Sequence, residues 1–342
     1  MKWERSLIVV VIIIVSYLFG YLIGYTIKPT QAPSSEGIVI IDDLGRQVVL
    51  EQVPKRIISV APAATRTLYD LGVFSKVIGV DKYSDDPPEA KNKTIVDYKN
   101  AEQLLNMTPD LIIAWWYQRK YLEVLEDKVP IIYIHPTSID GIYYDIWIIG
   151  KATGAEEKAQ EIISNLKACV AYIEEVVKNL TKQYGHPKVY VELYSPYKTI
   201  GRNTFTHEMI ELAGGINIAG NLTGYPLLSD EYIINANPDV ILYENSQLSP
   251  DNFTSRPGWD QINAVKNGKI YYLDRHIATA SPRFVEGLKF MVWAFFGYNI
   301  SSNISLCFSN VSSHIPSDKV SVSECNLLTT ILGTIVIIIK HN

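Results

Sequence analysis

The chain is organised around residues 155–184, which read AEEKAQEIISNLKACVAYIEEVVKNLTKQY. Their apolar side chains recur at intervals of three and four positions, as they do along one face of an α-helix, and most charged side chains lie off that face. Gly154 precedes the stretch, and Gly185 and Pro187 terminate it. A helix of this length would extend roughly 45 Å, which exceeds the width of one small domain. We therefore predict an interlobe helix over residues 152–185.

Two similar segments flank this helix. Residues 100–113 read NAEQLLNMTPDLII, and residues 229–242 read SDEYIINANPDVIL. Each begins with a helix-capping residue, carries a glutamate two positions later (Glu102 or Glu231), and continues through Pro-Asp into an apolar run. The common spacing predicts one unit, a short helix followed by a buried strand, used once in each lobe.

Strands and helices alternate on both sides of the long helix. Apolar runs rich in β-branched residues are separated by segments with helical periodicity, and a hairpin is predicted at residues 38–50. Such alternation is typical of parallel sheets that are covered by helices. The predicted fold class is α/β, with two lobes of mainly parallel sheet at residues 38–151 and 186–297, joined by the one long helix.

The N-terminus carries a predicted signal or anchor helix at residues 1–28. Residues 7–27 are almost continuously apolar and long enough to cross a bilayer. Lys2 and Arg5 precede them, which places the N-terminus in the cytoplasm and the rest of the chain outside it. Whether the segment is cleaved or stays as a membrane anchor is left open. A Pro- and Ser-rich tether follows at residues 29–37.

The C-terminal tail has a different composition. Residues 298–342 are rich in Ser and Asn and end in a largely apolar stretch at residues 327–339. Thirteen helical residues would extend about 20 Å, which is shorter than the roughly 30 Å hydrocarbon core of a bilayer. A second, short anchor and a hydrophobic tail without membrane contact both remain open.

Composition sets further limits on function. A net charge of −5 over 342 residues lacks the basic excess that nucleic-acid binding requires, so no nucleic-acid partner is predicted. Three cysteines are too few for a disulfide framework, and whether Cys307 and Cys325 pair is left open. Eight of the nineteen asparagines begin an Asn-x-Ser/Thr sequon, which indicates an exported chain with a glycosylated outer surface. They are Asn92, Asn106, Asn179, Asn221, Asn252, Asn299, Asn303 and Asn310.

Sequence signatures of catalysis are absent. The chain has no Gly-x-Ser-x-Gly elbow, phosphate-binding loop or His-Glu-x-x-His motif. His207-Glu208 is followed at the fifth position by Glu211, where the zinc motif requires histidine. The six histidines are scattered, and none has a partner at metal-ligand spacing. We therefore predict no catalytic residue, no metal site and no cofactor, and we interpret the chain as a non-enzyme.

Aromatic and arginine side chains follow several predicted strands. The carboxyl ends of parallel strands share one edge of a sheet, where open α/β folds bind ligands. Trp115, Trp116 and Tyr117 directly follow one strand, and Tyr83 follows another. Aromatic rings at this edge of both lobes suit a large flat ligand, and arginines suit anionic groups on it. The candidate ligand-binding residues on these grounds are Tyr83, Trp115, Trp116, Tyr194, Arg202, Tyr225 and Arg283. Pro62 is a further candidate, because it links a predicted strand to the N-terminus of the next helix at the same edge.

Several motifs together resemble the periplasmic binding proteins for iron-siderophores and vitamin B12. The resemblance covers roughly residues 38–296 and keeps the order of motifs in that family. In the first lobe it rests on DDLGR (42–46), PKRIISVAP (54–62), YSDDPP (83–88) and PDLIIA (109–114). In the second lobe it rests on TFTHEMIELAGGIN (204–217), RPGW (256–259) and VKNG (265–268).

The resemblance implies two α/β lobes joined by one long helix, a hinge with little bending, and delivery of a bound metal chelate to an ABC importer. The vitamin B12-binding members carry an aromatic residue at the position of Tyr83 and Trp at the positions of Trp115 and Tyr225. Another Trp of those members falls near Val96, to which Tyr98 is close in sequence. Tyr98 therefore joins the candidate ligand-binding residues.

The resemblance also implies a role for the repeated glutamates. In the family, glutamates at the positions of Glu102 and Glu231 protrude from the two lobes and meet arginines on the permease. The alternative is a favourable interaction of each carboxylate with the first turn of its helix, worth a few tenths to about 1 kcal/mol. Because that interaction does not account for the recurrence of glutamate in both lobes, we predict docking on a two-fold symmetric permease.

The predicted function is that of an extracytoplasmic solute-binding protein that captures an iron-siderophore or a cobalamin. We expect a monomer that is tethered to the membrane by its N-terminal helix. A haem carrier, in which a Tyr or His of the cleft ligates iron, is one alternative. A surface adhesion or structural protein is another, suggested by the sequons and the two hydrophobic ends.

Overall fold

A computed structural model of the chain describes residues 37–300. An antiparallel hairpin comes first, formed by β1 (Ile38–Ile41) and β2 (Gln47–Leu50), which confirms the predicted hairpin. The other elements of the N-terminal lobe are β3 (Ile57–Ser59), α1 (Pro62–Asp70), β4 (Val77–Val80), β5 (Thr94–Ile95), α2 (Ala101–Asn106), β6 (Leu111–Trp115), α3 (Arg119–Leu122), β7 (Ile131–Ile134) and α4 (Ile139–Thr153). The strands β3 to β7 form one parallel sheet in the order β5-β4-β3-β6-β7.

The predicted long helix is α5 (Glu156–Tyr184), which spans 29 residues. Gly154 ends the preceding helix in the left-handed conformation, and Gly185 follows the last turn of α5 with φ of 77°. Its buried residues follow the predicted three- and four-residue steps and are Ala159, Leu166, Cys169, Ile173, Val177 and Leu180.

The C-terminal lobe has a parallel sheet of its own. Its elements are β8 (Lys188–Glu192), α6 (Phe205–Leu212), β9 (Ile216–Asn217), α7 (Asp230–Ala236), β10 (Val240–Tyr243), α8 (Asp251–Thr254), α9 (Asn263–Lys266), β11 (Ile270–Tyr272) and α10 (Phe284–Phe296). The strand order is β11-β10-β8-β9, and every pair is parallel. Two parallel sheets covered by helices, with one long helix between the lobes, confirm the predicted fold class.

Each lobe encloses a separate apolar core between its sheet and its helices. In the N-terminal lobe the core includes the fully buried Ile58, Leu104, Ile112, Leu122 and Tyr133. In the C-terminal lobe it includes the fully buried Tyr190, Ile233, Ile241, Phe253 and Trp259. Leu104 and Ile233 belong to the two repeated short helices, so the repeat anchors each helix to its own sheet.

Helix α5 lies along both lobes. It packs against α4 on the N-terminal side and against α6 and α10 on the C-terminal side. A Cβ added to Gly150 of α4 would lie 2.5 Å from the Cβ of Ala159, so glycine is needed where α4 meets α5. The lobes also touch directly, because the main-chain nitrogen of Ile139 donates to the Glu208 carboxylate at 2.7 Å.

The repeated Pro-Asp unit makes matching contacts in the two lobes. The Asp110 carboxylate accepts hydrogen bonds at 2.8 Å from the main-chain nitrogens of Lys55 and Arg56, just before β3. The Asp239 carboxylate accepts one at 2.9 Å from the main-chain nitrogen of Lys188, at the start of β8. In each lobe the aspartate therefore fixes the beginning of the strand that neighbours its own.

The alternation of strands and helices in the sequence predicts one helix at residues 117–126. The structure instead forms three short turns there, with α3 in the middle. Buried Gln118 accounts for this, because its side chain accepts a hydrogen bond from the Trp115 nitrogen and donates to the Val60 carbonyl oxygen at 3.0 Å. These bonds tie the start of the segment to the end of β3. The two-residue strands β5 and β9 were also missed, since two residues carry no periodicity.

Several predictions concern residues outside the described range. They are the N-terminal helix at residues 1–28, most of the tether, the tail beyond Ile300, and the pairing of Cys307 with Cys325. Within residues 37–300, no helix combines the length and the apolar character needed to cross a membrane.

Candidate ligand-binding cleft

Residues that follow strands of the two sheets meet across a cleft between the lobes. The guanidinium of Arg275, just after β11, donates to the carbonyl oxygen of Tyr83, just after β4, at 3.1 Å. Tyr117 follows β6 and Tyr194 follows β8. Burial is the main cause of the raised pKa of Tyr117, and Tyr194 lies near enough to add to it. The carboxyl ends of both sheets therefore open onto the same space.

Tyrosines from both lobes line this cleft. The exposed fractions are 54% for Tyr83, 47% for Tyr117, 69% for Tyr194 and 54% for Tyr225. Burial is nevertheless the main cause that raises the pKa of Tyr117 to about 12, and the second largest cause is Tyr98. Burial also raises the pKa of Tyr225. These rings are thus accessible to a ligand, while burial still affects two of them, Tyr117 and Tyr225.

Glu244 lies at the end of β10 beside these tyrosines. Its main-chain nitrogen donates to the carbonyl oxygen of Glu192 at 3.0 Å. Its half-buried carboxyl group makes no hydrogen bond or ion pair with another residue in the described part of the chain. Burial raises its pKa to about 7, and its charge adds to the effect of burial in raising the pKa of Tyr225. The cleft thus contains a carboxyl group that holds its proton more tightly than an ordinary glutamate does.

The raised pKa of Glu244 fixes the sign of a pH effect. The folded protein holds this proton more tightly than the unfolded chain, whose glutamate pKa is about 4.3, so stability falls as the pH rises from about 4 through about 7. Glu244→Gln removes the cost of the buried charge. By calorimetry, its unfolding midpoint should exceed that of the wild type at about pH 8 and match it at about pH 4. A difference independent of pH would contradict this account.

The other predicted site residues of the N-terminal lobe lie at or after the ends of its strands. Trp115 is the half-buried last residue of β6, and Pro62 is the half-buried first residue of α1. The Trp116 ring is 44% exposed and lies 4.6 Å from the ring of His135. Tyr98 packs against the core of the N-terminal lobe. Tyr98 therefore contacts the core and also lies near Tyr117, while the Trp116 ring packs against His135.

Asp85, Arg275 and His276, together with Asp274, link the two lobes, and we call this group the interlobe latch. A guanidinium nitrogen of Arg275 lies 2.6 Å and 2.7 Å from the two carboxylate oxygens of Asp85. The ring nitrogens of His276 lie 2.7 Å from Asp274 and 3.0 Å from Asp85. Asp85 belongs to the N-terminal lobe and the other three residues to the C-terminal lobe. The hydrogen bond with Asp274, and then that with Asp85, raises the pKa of His276.

Protonated His276 should stabilise the latch in acid. A histidine whose pKa is raised by folding contributes stability that is fully present below its ordinary pKa of about 6.5. That stability is lost as the pH rises through the raised value. His276→Gln should therefore lower the thermal unfolding midpoint more at about pH 5.5 than at about pH 9. An equal loss at both pH values would mean that the imidazole charge has no part in the latch.

The two arginines predicted as ligand-binding residues have protein partners. Arg283 is mostly buried, and its guanidinium lies 3.0 Å from Asp86 and 2.7 Å from Glu286. Because Asp86 belongs to the N-terminal lobe, this pair is a further contact between the lobes. Arg202 is exposed and donates to the Thr223 hydroxyl at 3.2 Å. Within residues 37–300, no group of three or more His, Cys, Asp or Glu side chains could hold a metal ion.

Glu102 and Glu231 occupy matching positions on the surface. Each is exposed in the first turn of its helix, α2 or α7. Asn100 and Ser229 cap these helices by accepting a hydrogen bond from the main-chain nitrogen three residues later. Glu102 helps to line a surface pocket of about 430 Å³. A second pocket of about 360 Å³ includes Tyr232, the neighbour of Glu231.

Sequence reasoning missed the carboxyl groups of the cleft. Glu244 directly follows a strand, as Trp116 does, and that position is the signal for it in the sequence. A single carboxylate at a strand end matches no catalytic or metal-binding motif, so the sequence alone does not distinguish it. Asp85 and its latch partner Arg275 lie 190 residues apart, so no local pattern pairs them.

The sequence matches the periplasmic binding protein family over residues 57–276, which is more than half of the chain. An uncharacterised ABC transporter substrate-binding lipoprotein of Bacillus subtilis is 32% identical over 264 residues, which cover 73% of this chain and 83% of the relative. A cobalamin-binding protein of Halobacterium salinarum is 30% identical over 268 residues, which cover 72% of this chain and 71% of the relative.

A solved structure from Staphylococcus epidermidis, described as a possible iron-binding periplasmic solute-binding protein, superposes with a TM-score of 0.63. It is 32% identical, and the match covers 71% of this chain and 99% of that one. The chain thus belongs to the periplasmic binding protein family and is an extracytoplasmic solute-binding protein of an ABC transporter. Its partners are a small-molecule ligand and a permease. The family consists of binding proteins, which confirms that the chain is not an enzyme.

Proposed function

We propose that the chain captures a corrinoid-type metal chelate in the cleft and delivers it to the permease of an ABC importer. The observation that carries this proposal is the cluster of tyrosines, with Tyr83 and Tyr117 from one lobe and Tyr194 and Tyr225 from the other. Aromatic rings on two facing walls offer a large contact area to a flat macrocycle. The cobalamin-binding relative at 30% identity supports the same ligand class.

The charges around the cleft favour a corrinoid over an anionic chelate. Arg275 and Arg283 are each held by carboxylates, and Glu244 adds a further acidic group. Haem, with its propionates, and siderophores that bind iron through carboxylates or catecholates are anionic and favour unpaired cations. A corrinoid carries uncharged amide groups. Their N–H groups can donate hydrogen bonds to the Glu244 carboxylate and to tyrosine hydroxyl oxygens.

The candidate residues divide into four roles under this proposal. Tyr83 and Trp115 form a platform on the N-terminal lobe, facing Tyr194 and Tyr225 on the C-terminal lobe. The remaining members of the predicted site border the platform (Pro62, Tyr98 and Trp116), contact polar groups of the ligand (Arg202) or hold the lobes together (Arg283). Tyr117 and Glu244 complete the set.

An iron-siderophore is the second candidate ligand. The 32% identical structure described as possibly iron-binding favours it, as does the exposed guanidinium of Arg202. An uncharged hydroxamate chelate would avoid the acidic groups of the cleft, whereas a catecholate would not. The two ligand classes are therefore separable by direct binding.

Docking of the lobes on the permease completes the proposed function. Glu102 and Glu231 lie in the same turn of equivalent helices and are exposed, so each lobe presents one carboxylate to a two-fold symmetric partner. Arginine side chains of the permease are the complementary groups. Tethering through the predicted N-terminal helix would hold the lobes near the permease.

Isothermal titration calorimetry of the full chain in detergent tests the ligand class. We expect saturable one-to-one binding of cyanocobalamin, and binding at least about tenfold weaker for haem and for a ferric hydroxamate. Binding of the hydroxamate or of haem without binding of cyanocobalamin would overturn the corrinoid assignment and leave the transporter class intact.

A further inference from the structure

The sequon content of the chain exceeds chance. Serine and threonine together account for 42 of the 342 residues. By chance, about two of the nineteen asparagines would therefore be followed two positions later by serine or threonine, whereas eight are. Five of the eight lie between residues 92 and 254, inside the folded lobes, so the excess is not confined to the Ser-rich tail.

The structure places every sequon asparagine of the described residues on the surface. The exposed asparagines are Asn92, Asn106, Asn179, Asn221, Asn252 and Asn299. Asparagines outside sequons are not uniformly exposed. Asn217, for example, is buried and donates to the carbonyl oxygen of Ile200 at 2.7 Å. Exposure of the Asn side chain is what attachment of a glycan to a folded protein requires.

Asn179 and Asn252 are among the sequon asparagines that line neither surface pocket. Asn179 lies on the outward face of α5, with the exposed Tyr172 and Glu175 on the same face. The carboxamide oxygen of Asn252 accepts hydrogen bonds from the nitrogen and hydroxyl of Ser249 at 2.7 Å and 3.2 Å. Its amide nitrogen has no partner within residues 37–300.

Other sequons lie beside the docking glutamates. Asn106 lines the pocket that includes Glu102, and Asn221 lines the pocket that includes Tyr232. A glycan on either asparagine would cover surface next to a docking carboxylate. Asn179 and Asn252 line neither pocket, so glycans there leave both docking positions open.

We propose that Asn179 and Asn252 are N-glycosylation sites of this chain. The donor is a lipid-linked oligosaccharide, in which a phosphate oxygen of the lipid is bonded to C1 of the first sugar. Transfer forms a bond between that C1 and the Asn Nδ2, breaks the bond from C1 to the phosphate oxygen, and releases the lipid phosphate. One proton leaves Nδ2. The hydroxyl of Thr181 or Thr254, two positions later, completes the acceptor sequence.

Glycopeptide mass spectrometry of the full chain, purified from the membranes of its own host, tests the proposal. We expect peptides containing Asn179 and Asn252 to carry added hexose-containing mass, and the chain made in a bacterium without an oligosaccharyltransferase to lack it. Thr181→Val and Thr254→Val keep the asparagine and the side-chain shape but remove the hydroxyl. Each should abolish the modification at its own site and leave the other site occupied.

Unmodified Asn179 and Asn252 peptides from the host would overturn the proposal, as would modification that persists in the valine variants. Neither result bears on ligand binding, which the unglycosylated chain reports by calorimetry. A failure of the corrinoid assignment and a failure of this inference are therefore distinguishable.

Discussion

Reversing both docking charges, with Glu102→Arg and Glu231→Arg in one chain, is expected to abolish uptake through the cognate importer. Both carboxylates are exposed in the first turns of α2 and α7, outside the cleft. Placing arginine against arginines of the permease replaces two attractive contacts by repulsive ones, and like charges at an interface cost several kcal/mol. Ligand affinity should stay within about twofold of the wild type, because neither side chain lines the cleft.

A matched control is available on the long helix. Glu174 and Glu175 are exposed glutamates of α5, and reversing both changes the net charge by the same amount at a place unrelated to docking. This control chain should retain uptake. Full uptake by the Glu102/Glu231 double variant would show that these two carboxylates serve only as charges at helix ends.

Replacing Trp115 by alanine is expected to weaken ligand binding by roughly 1–3 kcal/mol, or about fivefold to 150-fold in Kd, as other aromatic stacking contacts do. Trp115 ends β6, two residues before Tyr117, so the change removes part of the proposed platform. Tyr225→Ala removes part of the opposite wall. If both residues contact one ligand, each single change should weaken binding, as measured by calorimetry.

Tyr172→Ala serves as the control for loss of an exposed aromatic ring. Tyr172 is 42% exposed on α5, away from the cleft, and its replacement should leave Kd unchanged. Thermal unfolding of each variant shows whether it remains folded. Wild-type affinity in a folded Trp115→Ala chain would remove this residue from the site.

The architecture was predictable because its signals are local and repeated. The apolar stripe from Ala159 to Leu180 lies within α5, which runs from Glu156 to Tyr184. The two Pro-Asp units recur with one spacing, and the Asp110 and Asp239 carboxylates both accept main-chain hydrogen bonds at the start of a neighbouring strand. Patterns of this kind depend on the spacing of apolar residues and on helix-capping residues, and both can be read from the sequence alone.

The site was predictable only in part. Aromatic residues at strand ends could be predicted, because each predicted strand of a parallel sheet ends at the ligand-binding edge. The partners of charged residues could not be found in this way, since Arg283 and Asp86 are 197 positions apart in the sequence. The raised pKa of Glu244 arises from burial, which depends on how the folded chain packs. Long-range pairing and desolvation are thus the properties that required a structure.

The central claim is that one ligand lies between the lobes in contact with tyrosines of both. A crystal structure of the chain grown with cyanocobalamin tests it most directly. We expect the corrin ring between the wall that carries Tyr83 and Trp115 and the wall that carries Tyr194 and Tyr225, with a ligand amide near Glu244. A corrinoid bound elsewhere on the surface, or a cleft that stays empty at saturating cyanocobalamin, would contradict the account.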